Sequence, residues 1–311
     1  MKKVFAILTG IVFLCSICGC RSKTVEPPAV PETPQNRIER HLRELTGKEM
    51  AGRKGGSTGE ARAALYLARR LQQAGLEPAG EAGTYMQSFL IGKFEPVLQE
   101  KRMVFRATAG TGLSVSENIL GMMRGVEDKI IIVSAHYDHL GVIDGTIYPG
   151  ANDNASGTAL VLELAKALSR EVPRYNILFA FWGAEEMGLL GSAYFNAHPT
   201  VPPDKVLCVI NFDSVGNLRT DKKLLGWSTV QNETSKYIVE VLGSEGWQID
   251  WECADKHNSD HASFARSGLS AMTLLSPYWL EGNHTPQDTA SEINIGPLTD
   301  LLFAIKKALA S

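Results

Sequence analysis

Carboxylate and imidazole side chains follow the ends of apolar segments in this sequence and also stand in two loops that contain glycine. The candidates are His136, Asp138, Asp153, Glu185, Glu186, Asp213 and His284. Mixed oxygen and nitrogen donors suit zinc, with manganese or cobalt as substitutes. Two such ions about 3.5–4 Å apart can hold an attacking water and a scissile carbonyl together. The pattern therefore predicts a two-metal hydrolytic site.

In two pairs of these candidates, one residue can bind a metal while the other has a different role. His136 and Asp138 are two residues apart at a predicted strand end, so they point to the same side, and one can bind a metal while the other orients it. Glu185 and Glu186 are adjacent, which allows one to bind a metal and the other to act as a general base. None of the seven histidines precedes a glutamate, which excludes the H-E-x-x-H helix of single-zinc proteases.

Buried strands must position these side chains. Short apolar segments at 130–133, 175–182, 206–212 and 270–275 are bounded by turn residues and predict buried, mostly parallel strands. Helical patterns at 37–45, 155–169, 186–196 and 295–310 alternate with them. This alternation predicts one α/β domain with a mixed, mostly parallel central sheet covered by helices on both faces. Ligands of such sheets bind at the carboxyl ends of the strands.

Six motifs in a fixed order carry a resemblance to a known family. They read HYDHLG, GANDNASG, WGAEEMGLLGS, NFDSVG, SDHASF and GNHTPQDT. In this order they resemble the di-zinc aminopeptidases related to aminopeptidase S and aminopeptidase Y, whose relatives include glutaminyl cyclases and glutamate carboxypeptidases. The likeness extends from Arg37 to the end of the chain and includes GRKGGSTGE. It implies the zinc-exopeptidase (phosphorylase/hydrolase-like) fold and an aminopeptidase that acts on peptides with a free N-terminus.

The resemblance also implies roles for individual residues. His136 and Asp213 would bind one Zn²⁺, Asp153 would bridge two ions, and Glu186 and His284 would bind the other ion. Glu185 would be the general base, and Asp138 would orient His136. The remaining acids, imidazoles and rings near the motifs receive other interpretations. His139, Asp260, His261 and Asp288 are interpreted as structural or supporting, while Trp182, Tyr278 and Trp279 either line a pocket or pack the core.

Three positions depart from the pattern of the family. Ser214 replaces a usual methionine, Ser263 a usual proline, and Asn283 a usual tyrosine. None is a predicted ligand, but the last two bear on the substrate pocket. A dipeptidase, a carboxypeptidase or a glutaminyl cyclase of the same fold therefore stays open as an alternative. A non-catalytic binding domain is disfavoured because every predicted ligand and the base are present.

The N-terminal residues predict export. Lys2 and Lys3 precede an apolar run that is too short to span a bilayer, and the run ends in a sequence that resembles a lipobox. We expect a lipoprotein signal peptide at 1–19, a lipid on Cys20, a proline-rich tether at 20–36 and the catalytic domain at 37–311. The location would be the bacterial cell envelope, or the medium if the segment is an ordinary signal peptide; an uncleaved anchor is the further alternative.

Charge and cysteine content limit the remaining partners. The formal net charge is −3 and no basic run is dense, so no nucleic-acid partner is expected. We also expect membrane contact only through a lipid on Cys20, and a monomer. Cys208 and Cys253 lack metal-ligand spacing and are expected to be thiols, although export permits a disulfide. The G-x-S-x-G sequence at 55–59 follows no strand, so it is interpreted as a helix cap and not a nucleophile.

Overall fold

Four parallel strands form the centre of the sheet in the computed structural model of the protein. The structure describes residues 32–100, 102–253 and 258–310, and only the backbone of Thr229, Val230 and Cys253. Within them the strands are β1 Glu77–Pro78, β2 Met86–Ile91, β3 Phe94–Gln99, β4 Arg102–Ala107, β5 Ser114–Met123, β6 Glu127–His136, β7 Gly141–Ile143, β8 Thr146–Tyr148, β9 Tyr175–Trp182, β10 Val206–Phe212, β11 Lys223–Val230, β12 Gln248–Cys253 and β13 Ala271–Leu275.

The main sheet has the order β1-β5-β9-β6-β10-β13-β11-β12, and β2 pairs with β5. Its centre, β9-β6-β10-β13, is parallel throughout. Both flanks attach to this centre through antiparallel pairs, β5 with β9 and β11 with β13. The predicted mixed sheet is therefore confirmed. Because β6, β9 and β10 run in the same direction, their carboxyl ends meet at one edge of the sheet.

Helices cover both faces of the sheet, as predicted. They are α1 Pro34–Leu45, α2 Thr58–Gln73, α3 Gly157–Leu168, α4 Leu190–Ala197, α5 Glu233–Ser244, α6 His261–Ala265 and α7 Ile295–Ala310. Alternate side chains of β6 enter two separate cores. Ile131 belongs to the larger core, with Leu160 of α3, whereas Ile132 packs in the second core with Phe195 of α4 and Phe264 of α6.

Two element boundaries differ from the prediction for local reasons. Helix α1 begins at Pro34, inside the segment expected to be tether, because proline is tolerated at the first helical position and the Thr33 hydroxyl caps the helix by accepting from Asn36 N at 3.2 Å. The helix predicted from residue 186 is instead a short turn, Glu185–Met187, followed by α4. Gly188 and Leu189 interrupt it with φ angles of 104° and 61°.

The N-terminal predictions are not addressed by the fold. The expected signal peptide at 1–19, the lipidated Cys20 and the tether up to residue 31 lie outside the described residues. Residues from Thr33 onward form one compact unit. Within the part of the chain that the structure describes, no helix is long and apolar enough to cross a membrane.

Candidate metal centre

His136 begins the site at the carboxyl end of β6. Its Nε2 atom lies 3.3 Å from Asp153 Oδ1 and 3.5 Å from Asp213 Oδ1, which follows β10. The ring is buried, and its other nitrogen, Nδ1, lies 3.6 Å from Asp138 Oδ1. The first group of potential ligands is therefore His136, Asp153 and Asp213.

A second group shares Asp153 with the first. The other oxygen of Asp153, Oδ2, lies 3.1 Å from His284 Nε2, which in turn lies 3.2 Å from Glu186 Oε2. His139 joins this group through Glu186, because its Nδ1 atom lies 2.9 Å from Glu186 Oε1. The structure thus brings all five predicted ligands together, with one carboxylate oxygen of Asp153 facing each group.

The spacing of these atoms fits zinc. Donor atoms of a tetrahedral zinc ion with bonds of about 2.0–2.1 Å lie about 3.3 Å apart, and the distances from His136 Nε2 and His284 Nε2 to the predicted carboxylate ligands are 3.1–3.5 Å. The ring of His284 is also oriented as metal binding requires, with Nε2 toward Asp153 and Glu186. Its Nδ1 atom donates a hydrogen bond to the carbonyl oxygen of Met103, which leaves Nε2 for an ion.

The titration behaviour of the second group points to the same conclusion. Burial alone would lower the pKa of His284, but the carboxylates of Glu186 and Asp153 raise it to about 11. Burial alone would raise the pKa of Glu186, but the nearby positive charge of His284 lowers it to about 2. The carboxylates thus surround the imidazole closely enough to favour positive charge at this place, and a bound divalent cation would also supply such a charge.

Asp138 links His136 to the two adjacent glutamates. Besides facing the imidazole, its carboxylate accepts hydrogen bonds from the backbone N–H of Glu185 at 2.9 Å and of Glu186 at 3.2 Å. One buried carboxylate therefore orients a predicted metal ligand and holds the turn that carries the predicted base. Burial raises the pKa of Glu185 well above its ordinary value, which suits a group that must accept a proton and return it.

Asp288 supports the bridging carboxylate from the other side. Its two oxygens accept hydrogen bonds from the backbone N–H of Asn152 at 2.7 Å and of Asp153 at 3.1 Å. Its interpretation as a loop-supporting residue therefore holds. Asp260 and His261 are buried at the start of α6, and His261 Nδ1 shares a hydrogen bond with Thr273 Oγ1 at 2.8 Å; neither residue belongs to the two ligand groups.

Two supporting residues were not recognised from the sequence, although both lie in GRKGGSTGE. The guanidinium of Arg53 is fully buried and donates to the carbonyl oxygens of Tyr137 and Gly150, next to the predicted ligand loops. The carboxylate of Glu60 accepts from Ala184 N at 3.2 Å, directly before Glu185. The one available signal was the inclusion of this segment in the family resemblance. Ser57 is a helix cap as predicted, since its hydroxyl accepts from Glu60 N.

Aromatic side chains form one wall of the space in front of the ligands. We call this space, of about 320 Å³, the metal-centre cavity. Trp279 lines it, together with Trp227, which the sequence analysis did not single out. Trp182 is instead fully buried in the second core, and Tyr278 stacks against the guanidinium of Arg219.

The three departures from the family pattern all make polar contacts. Ser214 Oγ donates to Asp213 Oδ1 at 3.0 Å, and Asn283 Nδ2 donates to Asp153 Oδ2 at 2.6 Å. Ser263 Oγ shares a hydrogen bond with Ser192 Oγ at 2.9 Å. Two of the three therefore touch predicted metal ligands without competing for the ions.

Carboxylates and imidazoles gathered at the carboxyl edge of a parallel sheet are typical of a metal-dependent hydrolase. Comparison with known sequences gives the family: residues 118–308 match peptidase family M28, and the chain belongs to that family. It is 28% identical over 258 residues to leupeptin-inactivating enzyme 1 of Streptomyces exfoliatus, which covers 82% of this chain and 52% of that protein. It is 30% identical over 216 residues to aminopeptidase YwaD of Bacillus subtilis, which covers 64% of this chain and 45% of that protein.

A solved structure shares the fold. The aminopeptidase from Aneurinibacillus sp. strain AM-1 superposes with a TM-score of 0.71 at 17% identity, over 89% of this chain and 93% of that chain. The present chain spans about half the length of the curated relatives named above. The zinc-exopeptidase fold expected from the motifs is thereby confirmed.

Proposed function

We propose that this protein is a zinc-dependent aminopeptidase that hydrolyses the N-terminal peptide bond of peptides and holds two zinc ions. The observation that carries the proposal is the position of the Asp153 carboxylate between the two ligand groups. Its Oδ1 atom faces the group of His136 and Asp213, and its Oδ2 atom faces His284. A carboxylate shared in this way suits two neighbouring ions. Membership of peptidase family M28 and similarity to proteins named as aminopeptidases support the same function.

The proposed mechanism assigns a task to each side chain around the cavity. His136, Asp153 and Asp213 would hold one ion, and Asp153, Glu186 and His284 the other. Bound zinc supplies a Lewis acid, which lowers the pKa of water and polarises a carbonyl oxygen.

Glu185 lines the metal-centre cavity next to both groups and is not itself in either ligand group. It would accept a proton from the attacking water and return it to the amine that leaves. Asp138 would keep His136 and the backbone of Glu185 in place through its hydrogen bonds and its contact with the imidazole. Loss of Oδ1 of Asp138, which faces His136 and accepts from Glu185 N, would therefore disturb both tasks.

Export of the enzyme is a separate part of the proposal. The N-terminal sequence supports a signal peptide at 1–19, a lipid on Cys20 and a location at the bacterial cell envelope, with a monomeric catalytic domain. Labelling of cells with a radioactive fatty acid tests the anchor. Incorporation that is lost in Cys20→Ser would support it, and an unlabelled protein in the medium would favour an ordinary signal peptide.

Hydrolysis of a panel of aminoacyl-nitroanilides tests the activity. The purified protein is assayed as isolated, after treatment with a chelator, and after zinc is added back. We expect release of nitroaniline that the chelator abolishes and zinc restores. If zinc binds but no nitroanilide is cleaved, the aminopeptidase assignment fails, and dipeptides, N-terminally blocked peptides and N-terminal glutamine become the substrates to assay for the dipeptidase, carboxypeptidase and cyclase alternatives.

A further inference from the structure

The β3–β4 hairpin reaches the metal centre from a region that the predicted ligands do not include. Its strand β4 supplies the carbonyl oxygen of Met103 that accepts from His284 Nδ1. The hairpin residues Phe94 and Phe105 pack against the small core that contains Met187, next to the Glu185–Met187 turn. The hairpin therefore forms part of the wall of the metal-centre cavity.

Arg102 is the residue through which this hairpin enters the cavity. Its guanidinium lies over the ring of Trp279, with the central carbon 5.1 Å from the ring centroid. Its Nη2 atom donates to Asn283 Oδ1, and Asn283 in turn donates to Asp153 Oδ2 at 2.6 Å. Two neighbours thus hold the guanidinium beside the bridging carboxylate without neutralising it.

Arg102 brings a positive charge to the metal-centre cavity. Within the described residues it forms no ion pair, although it lies in a cavity lined by four carboxylates. Its Nε atom is buried and has no hydrogen-bond partner in the part of the chain that the structure describes. Of the described residues that line the cavity, Arg102 is the one lysine or arginine, whereas the carboxylates are assigned to the metals and to the base.

We propose that Arg102 binds a carboxylate of the substrate and makes the enzyme selective for peptides that carry one close to the scissile bond. A planar guanidinium pairs with a carboxylate through parallel hydrogen bonds, and the stacked ring of Trp279 restricts its orientation. The cavity volume of about 320 Å³ is at the lower end of the range for small-molecule sites, which favours a short substrate.

Two sources could provide this carboxylate. It is either the C-terminal carboxylate of a dipeptide or the side chain of an acidic N-terminal residue. The selectivity rests on the proposed peptidase function, since it concerns the same cavity. The chemistry recognised by Arg102 is the same in both cases, and the choice of substrates separates them.

Paired substrates that differ in one charge test the proposal. Leu-Gly is compared with Leu-Gly-amide, and glutamyl-nitroanilide with glutaminyl-nitroanilide, using kcat/KM for the zinc-loaded protein. We expect one of the two pairs to favour the charged member by about 10- to 100-fold, the range of a charge-assisted hydrogen bond. A preference within the first pair identifies a dipeptide terminus, and one within the second an acidic side chain.

Variants of two arginines on the same strand assign the preference to a residue. Arg102→Met should abolish the preference and Arg102→Lys should retain part of it. Arg106→Met is the matched control, because Arg106 is exposed and its guanidinium donates to the exposed Gln99. If Arg102 only supports Asn283, then Arg102→Met will slow both members of a pair by the same factor and the proposal is wrong.

Failure of the subsite and failure of the peptidase function give different results. Hydrolysis without any preference for the charged member overturns the role of Arg102 and leaves the peptidase intact. If no substrate is cleaved, the peptidase function fails, and calorimetric titration with the uncleaved peptides replaces kinetics. Tighter binding of the charged peptide that disappears in Arg102→Met would still support the subsite, and equal binding would overturn it.

Discussion

Arg53 is the residue whose loss should most disturb the support of the metal centre. Its guanidinium donates four hydrogen bonds to backbone carbonyl oxygens, at distances of 2.6–2.8 Å. The acceptors are Tyr137, Leu45, Pro149 and Gly150. One of these residues separates His136 from Asp138, and another begins the turn that leads to Asp153. The buried guanidinium of Arg53 therefore connects the segment that follows His136 with the loop that carries Asp153.

The cost of replacing Arg53 with methionine follows from these contacts. Burial lowers the pKa of Arg53 to about 10, so the side chain stays charged at neutral pH. Each hydrogen bond to a charged donor contributes about 1.5–3 kcal/mol, but the four are not additive, and loss of one partner in a buried charge network costs about 3–5 kcal/mol. Methionine fills much of the volume and leaves the carbonyls without these donors. We therefore expect unfolding to cost about 3–5 kcal/mol less in Arg53→Met.

Thermal unfolding of the zinc-loaded protein measures this loss. At about 2–4 °C per kcal/mol for a chain of this size, the midpoint should fall by about 6–20 °C. Displacement of the two loops should also weaken zinc binding by about 10- to 100-fold. Arg62→Met is the control, because Arg62 is half exposed and pairs with the exposed Glu49 at 3.2 Å, so its loss should shift the midpoint by about 4 °C or less. A midpoint for Arg53→Met that matches this control would refute the reasoning.

Three further outcomes follow from the structure. Glu185→Gln should keep its zinc but lose about 10²–10⁴-fold in kcat; unchanged turnover would remove Glu185 from the role of base. Burial, followed by the negative charge of Asp138, raises the pKa of Glu60 to about 8, whereas an unfolded glutamate titrates near ~4.3. The unfolded chain therefore releases this proton first, and the stability contributed by Glu60 falls as the pH rises from about 4.3 to 8. The melting temperature of Glu60→Gln relative to the wild type should rise across that window, and a constant difference would contradict the assignment. Burial also raises the pKa of the Cys208 thiol to about 12, so alkylation at pH 8 followed by peptide mapping should leave Cys208 unmodified until the protein unfolds; modification of the folded protein would show that the thiol is accessible.

The helices and strands that the sequence predicted well are those that are buried, because burial requires a recognisable pattern of apolar residues. The closing helix Ile295–Ala310 has the predicted bounds, as does the buried strand Tyr175–Trp182, which is apolar apart from Asn176. Residues 248–253, which were not among the predicted strands, form the edge strand β12, which pairs with β11 on one side. An edge strand is only partly buried, so its residues lack the apolar run that marks a central strand.

The residues of the candidate site that could be predicted are the carboxylates and imidazoles that follow strand ends or stand in the loops at that edge of the sheet. The five predicted ligands meet because β6 and β10 are parallel neighbours and the intervening loops return to the same edge. The supporting groups were not predictable in this way. Arg53 and Glu60 reach the site from a loop and a helix some 80 residues before the first ligand, and their partners are mostly backbone groups, which no residue pattern indicates.

The number of zinc ions bound per chain tests the central claim most directly. Protein stripped with a chelator is titrated with zinc, and the bound metal is counted while nitroanilide hydrolysis is followed. We expect two ions per chain in the wild type and in Asp144→Asn, a control at an exposed turn. Asp153→Asn should lose both ions and the activity, because Asp153 belongs to both ligand groups. One ion per wild-type chain, or two ions retained by Asp153→Asn, would contradict the shared-carboxylate centre.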